Sequence, residues 1–187
     1  MIAQCHSLAC MTPRERLAQA SREYGPETVA VWCAELLSGQ TSHDATDRPS
    51  LVWLGGKGAD WLLARDELGA HEYWPRVWAA RGLLYVWSPR AVPAVVSALD
   101  DPAWRVREMA AKVVRLREIG AAGEFLAALV DDEVTRVRVT ALRALAVVGE
   151  GEHAEVIRSA SDDPEPTVRK AAVLAIETLA QRLDRPV

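Results

Sequence analysis

The stretch Asp131-Asp132-Glu133-Val134-Thr135-Arg136-Val137-Arg138-Val139-Thr140-Ala141-Leu142-Arg143-Ala144-Leu145 decides the fold. It opens on an acidic pair, passes through a Val-Arg pair and continues with small and branched apolar residues at helical spacing. The pattern recurs 31 residues upstream as Asp100-Asp101-Pro102 with Val106-Arg107, and 31 residues downstream as Asp162-Asp163-Pro164 with Val168-Arg169. No insertion breaks the spacing. Behind each pair the register holds, first at Ala110, Ala141 and Ala172, then one helical turn later at Val114, Leu145 and Ile176. A fixed period of this kind is the mark of a repeat architecture.

Each unit reads as helix, turn, helix. A shorter apolar helix (Val92 to Leu99, Phe125 to Val130, Ala154 to Ala160) leads into the polar turn; a longer helix follows, and Gly120 and Gly151 close two of these. Aspartate suits the turn because its oxygens accept bonds from the unpaired first amides of the next helix, while Pro102 and Pro164 lack a donor that would go unused there. One more step back, Arg107 maps onto Arg76, Ala110 onto Ala79 and Val114 onto Leu83. A divergent fourth unit is therefore expected at about residues 58 to 88, with Gly69-Ala70-His71-Glu72-Tyr73-Trp74 in place of the acidic turn. Neither helix of a unit can bury its apolar face alone, so units stack. The expected fold is all-α, a right-handed solenoid of about four units near 58–88, 89–120, 121–151 and 152–183 within a repeat region 51–187. On its last helix, Leu179 and Leu183 would take cover from a polar cap or a partner.

Residues 1–50 lack the repeat. Thr12-Pro13-Arg14-Glu15 reads as a cap, a first-turn proline and a glutamate three residues on, opening a helix to about Tyr24; Pro26 opens another through Leu37. These are expected to be capping helices, followed by a linker by composition from Ser38 to Ser50.

Bulk properties narrow the partners. Half of the 187 residues are apolar, and the net charge of −4 is well mixed along the chain. Such a chain builds its own core and lacks the overall positive field that drives nonspecific nucleic-acid binding. Cys5, Cys10 and Cys33 cannot pair fully, and nothing resembles a signal peptide or a bilayer-spanning segment, so the expectation is a cytoplasmic protein without membrane contact.

Acidic turn, Val-Arg, then Ala-Ala and an aliphatic helix ending near glycine together resemble the HEAT-like repeat group, most of all its short type first noted in phycobilisome lyases. The resemblance covers about residues 58 to 183. The period is shorter than the roughly 40 to 47 residues of full HEAT or armadillo units, and tetratricopeptide and ankyrin signatures are absent. What it implies is shape more than activity, since members of the group act as scaffolds, peptide binders, lyase subunits and, in one branch, DNA glycosylases.

Three sets of residues stand out. Arg76, Arg107, Arg138 and Arg169 supply one guanidinium per unit. They could track phosphates, but Arg107, Arg138 and Arg169 each follow an acidic pair, and the resemblance implies a ladder of bonds to Asp100, Asp131 and Asp162 that ties the turns together. Five residues on, Arg81, Lys112 and Arg143 continue to Leu174; with Glu108 and Arg115 they form a polar stripe on the second helices, which in such stacks line the concave surface. An acidic protein or peptide would fit there, and an ordinary solvated face would look the same. The third set is aromatic: five of the seven tryptophans fall in residues 53–87, beside Gly55-Gly56-Lys57-Gly58 and the His71 turn. His71, Trp74 and Trp78 could line a pocket, although core filling explains tryptophans equally well.

Catalytic and metal signals are weak. The glycine loop lacks the spacing of a phosphate-binding loop, no serine sits in a nucleophile elbow, and Cys5, His6 and Cys10 lack a fourth ligand for zinc. His71 beside Glu72 is one acid–base pair, too little to name an enzyme. No cofactor and no metal are expected. The leading expectation is a non-catalytic scaffold for a protein or peptide. The alternatives are a DNA-binding or DNA-repair protein using Trp74, Trp78, Arg81 and Arg143, which the acidic balance disfavours, and a small-molecule enzyme or enzyme subunit with a tryptophan-rich pocket.

Overall fold

The computed structural model describes residues 8–43, 45, 48–65, 67 and 71–184; Cys5, His6, Asp44, Gly69 and Ala70 lie outside them. Among the described residues the chain is helical and contains no strand. It divides into two compact units, Met1–Ala94 and Val95–Val187.

The first unit holds α1 (Pro13–Tyr24), α2 (Pro26–Leu37), α3 (Val52–Gly55), α4 (Lys57–Arg65) and α5 (Tyr73–Gly82). Helix α1 starts on the box expected of its first residues: the Glu15 amide donates to Thr12 Oγ1 at 3.3 Å, and the Thr12 amide donates to the Glu15 carboxylate at 2.8 Å. The linker after α2 is anchored to it by Arg48, 2.8 Å from the Glu35 carboxylate. Leu17, Trp32, Cys33, Leu54 and Trp78 are all buried, and α5 packs on α2 and α3.

Glycine explains how large rings fit. A Cβ at Gly55 would lie 2.4 Å from the Ala59 Cβ and 2.7 Å from the Trp78 ring, and one at Gly56, where φ is +60°, would lie 2.5 Å from the Arg16 guanidinium. Here Gly55-Gly56-Lys57-Gly58 admits an indole and a guanidinium. Arg16, 3% exposed, donates from Nε to the Trp53 carbonyl at 3.1 Å, from Nη2 to that of Leu54 at 3.3 Å and from Nη1 to that of Met11. It thereby satisfies the open carbonyls of the short α3.

The second unit takes over within α6 (Val92–Ser97) and continues through α7 (Trp104–Arg117), α8 (Gly123–Ala128), α9 (Thr135–Val148), α10 (Ala154–Ser159) and α11 (Pro166–Leu183). Each short helix tightens into a 3₁₀ turn, Ala98–Asp100, Leu129–Asp131 or Ala160–Asp162, before the long helix begins. Helix α9 packs between α7 and α11. Residues of equal phase share the core: Val95, Leu126 and Ile157 from the short helices, and Val106, Val137 and Val168 with Ala110, Ala141 and Ala172 from the long ones, are inaccessible to solvent. Burying each Val, Leu or Ile contributes about 1.5–3 kcal/mol. Leu179 belongs to this buried set and uses no outside cover.

Two expectations about the turns are corrected. Helix α7 ends on Glu118 in the left-handed region (φ 52°) and α9 ends at Gly149, while Gly120 and Gly151 begin the next 3₁₀ turns. The ladder exists, but its rungs use the second aspartate of each pair. Arg107 donates from Nε and Nη2 to Asp132 at 2.7 and 3.1 Å, and Arg138 does the same to Asp163 at 2.8 and 3.1 Å. Asp100, Asp131 and Asp162 finish the short helices, whereas Asp101, Asp132 and Asp163 accept from the amides of Ala103, Val134 and Glu165, each at 2.8 Å. At Asp132 and Asp163 the carboxylate that accepts the amide just before a long helix is also the one aimed at the preceding unit's arginine.

The Nη1 groups of Arg107, Arg138 and Arg169 donate to carbonyls of their own turns, those of Asp101, Asp132 and Asp163, at 2.9, 2.9 and 2.7 Å. Arg76, in the first unit, donates to the Glu72 carbonyl at 3.3 Å. Burial of the Asp163 carboxyl alone would raise its pKa. The Arg138 bond, the Glu165 amide and the Arg138 and Arg169 charges outweigh that and hold it below the usual carboxylate value.

Candidate binding face on the second helices

The long helices of the second unit present one stripe of side chains on the face opposite their buried valines. At its start, Trp104 lies half-buried with the Arg105 guanidinium 4.3 Å and the Arg136 guanidinium 5.6 Å from its ring centre. Glu108 comes next, and it is no solvated surface residue: 8% exposed, it accepts from Lys112 Nζ at 2.9 Å and from Arg136 Nη2 and Nε at 3.2 and 3.3 Å. Arg136, on the neighbouring helix, is what closes over it. That carboxylate is consumed as the internal counter-ion of two cations.

Beyond Glu108 the stripe opens into a groove of about 390 Å³, lined by Arg115 of α7, Arg143, Ala146 and Val147 of α9, and Thr167, Lys170, Ala171, Leu174, Ala175 and Thr178 of α11. No lining residue is acidic. The structure thus brings Arg115 and Arg143 together as the sequence row suggests, and adds Lys170. This lysine has the phase of Glu108, 62 residues on, so carrying that column through the third unit would have found it. Leu174, which breaks the row of cations, is 53% exposed on the floor among alanines.

The remaining candidates sit elsewhere. Arg81 is half-buried in the first unit and donates from Nη2 to the Leu54 carbonyl at 2.8 Å, the acceptor Arg16 also uses. Burial, then the Arg16 charge, lower its pKa, with Tyr85 opposing. It serves the α3 end. The expected aromatic pocket resolves into packing: Trp78 is 4% exposed against Gly55 and Gly58, and Trp74 stacks on it at 5.7 Å between centroids. His71 is half-buried in the turn before α5.

One cluster escaped the sequence reading. Glu124, Glu152 and His153 bring three ligand-type atoms within 4.8 Å of one another. His153 is 6% exposed, and its Nδ1 accepts the Glu150 amide at 2.9 Å. In the neutral ring that bond leaves the proton on Nε2, which faces Glu124 at 3.6 Å. The imidazole presents an N–H and no lone pair to the carboxylates, so this donor set does not fit a metal while the cap is intact.

No helix among the described residues is long and apolar enough to cross a membrane. No curated protein matches the chain. Residues 121–186 match the family model described as HEAT repeats, and residues 91–115 match that of the HEAT repeat. These spans cover the helices from α8 to α11, all of α6 and most of α7. Proteins built of such repeats commonly act as scaffolds for protein–protein interaction. With matching family models over both stretches and three stacked hairpins in a 31-residue register, the chain is a HEAT-like repeat protein.

Proposed function

We propose that this chain is a non-catalytic binding scaffold that holds an acidic protein or peptide on the second-helix face of residues 95–187. One observation carries the reading: Arg115, Arg143 and Lys170 line a groove that has no acidic lining residue, in a chain whose net charge is −4. Cations gathered against the overall sign of a protein steer and orient a negative partner. A nucleic acid would use the same charges, but stacking on bases needs an open aromatic face, and Trp104 carries guanidinium groups near its ring. An enzyme built on an indole pocket loses support because Trp78 fills the core.

Residues 58–88 are proposed as a divergent unit of the same kind. In support, Pro75, Ala79, Ala80 and Leu83 are buried at the phases of Val106, Ala110, Ala111 and Val114.

The test uses an accident of composition: the only lysines are Lys57, Lys112 and Lys170. An amine-reactive crosslinker applied in the native host should join acidic partner segments to Lys112 or Lys170, and Arg115→Glu with Arg143→Glu should abolish those links. Partner links at Lys57 alone, or links indifferent to the charge reversal, would sink the proposal.

A further inference from the structure

We infer that the groove between α7, α9 and α11 takes a helical segment of a partner polypeptide, one that carries carboxylates a heptad apart with an apolar side chain between them. This inference rests on the scaffold reading above and concerns the same face.

The argument begins with where the cations stand. Arg115, Arg143 and Lys170 belong to three successive long helices but not to one phase: referred to α9, they occupy the positions of residues 146, 143 and 139. They therefore form a diagonal, moving three to four residues along the axis at each change of helix. With about 1.5 Å of rise per residue and about 8–10 Å between packed helices, neighbouring cations lie about 10 Å apart. Seven residues of an α-helix also rise about 10 Å, so carboxylates at i, i+7 and i+14 of a bound helix match all three. An extended strand does not, since about 10 Å is three residues and alternate side chains leave on opposite faces.

The floor supplies the second requirement. Leu174 is 53% exposed and flanked by Val147, Ala171 and Ala175, with Lys170 one turn before it on the same helix. A partner with charge alone would leave this patch in water. A helix with an apolar residue at i+3 or i+4, between its carboxylates, covers it. Phosphates of a nucleic acid would meet the cations and gain nothing from Leu174, so the apolar floor favours a protein segment.

The experiment measures fluorescence anisotropy of the full chain with designed peptides of about 18 residues, long enough for three heptad-spaced glutamates. One peptide places Glu at i, i+7 and i+14 with Leu between; the second has identical composition with the Glu residues distributed around the helix; a duplex DNA of similar length is the competitor. The first peptide is expected to bind at least about tenfold tighter than the second. Leu174→Ser should weaken it by about tenfold equally at low and high salt, whereas Arg143→Gln should weaken it at low salt and converge with wild type as ionic strength rises.

Both positions are exposed, so thermal unfolding should be unchanged, and an unchanged melting curve makes the binding losses interpretable. Equal binding of the two peptides, indifference to Leu174→Ser, or failure of the first peptide to bind overturns the inference; so does DNA displacing the first peptide. The lysine crosslinks then decide the wider question. If they persist, the face is a scaffold for some other segment, and if they vanish too, the scaffold reading falls with this one.

Discussion

The two units build their cores by different means. In residues 95–187 the core is aliphatic, and successive hairpins are bolted by bidentate Arg107–Asp132 and Arg138–Asp163 contacts that repeat nearly atom for atom. In residues 1–94 the core is rich in tryptophan, room for it comes from absent side chains at Gly55 and Gly58, and the buried guanidinium of Arg16 bonds to backbone carbonyls. The first scheme can be copied, since its joints depend on two residue types at fixed spacing. The second is specific to one place in one chain. Repetition of sequence follows repetition of joint chemistry.

The largest effect is expected from breaking the singular scheme. Gly56→Ala adds a Cβ at φ +60° and 2.5 Å from the Arg16 guanidinium; strain and overpacking together should cost about 3 kcal/mol or more. The readout is Cys33, whose thiol burial pushes up to about 12. It should resist a thiol reagent in the wild type and react at lower denaturant in the variant, while exposed Cys10 reacts at once in both. Unchanged protection of Cys33 would show that the glycine loop carries no packing.

The repeated scheme should break by a smaller and graded amount. Arg138→Met removes a mostly buried bidentate bond and leaves Asp163 unpaired there, an expected loss of about 2–3 kcal/mol in denaturant unfolding. Arg169→Met, at the same phase, loses exposed bonds to the Asp163 and Pro164 carbonyls and a charge that acts on the Asp163 carboxyl from outside the clasp, and about 0.5–1 kcal/mol should follow. Equal losses would refute the clasp as the source of stability. The Asp163 carboxyl is held below its ordinary pKa in the folded chain. Its contribution is therefore present above the unfolded value of about 3.9 and disappears as pH falls through the lower folded one. Arg138→Met should flatten that acid limb.

The smallest effect concerns a close approach between successive hairpins. A Cβ on Gly123 would come 2.7 Å from His153 Nε2. Gly123→Ala should cost about 1–2 kcal/mol, and adding His153→Ala should recover part of the loss. Strict additivity of the two in thermal unfolding would mean that the ring and the glycine are not coupled.

Much of this was legible before any coordinates. The 31-residue count, the Thr12 box and the Pro26–Leu37 helix rest on local chemistry, in which spacing determines which groups can meet. The identity of the rung aspartate was not legible, because Asp131 and Asp132 differ only in which finishes one helix and which starts the next. Glu108 misled for another reason: its burial comes from Arg136 on the adjacent helix, 28 residues away. Trp78 needed knowledge of which glycines it faces. Arg115 and Arg143 were readable as a polar face, whereas Lys170 and Leu174 acquire meaning only once three helices lie side by side.

Asp132 and Asp163 each join two different hairpins, accepting one bond from the amide just before their own long helix and a bidentate pair from the arginine of the hairpin before. Every hairpin of the second unit that follows another thus meets its predecessor with the same fitting, as links of a chain do. Length becomes independent of joinery: whole 31-residue links can be added or removed without inventing a new connection, whereas a cut at half a period would leave an arginine facing a helix and a helix start without its acid.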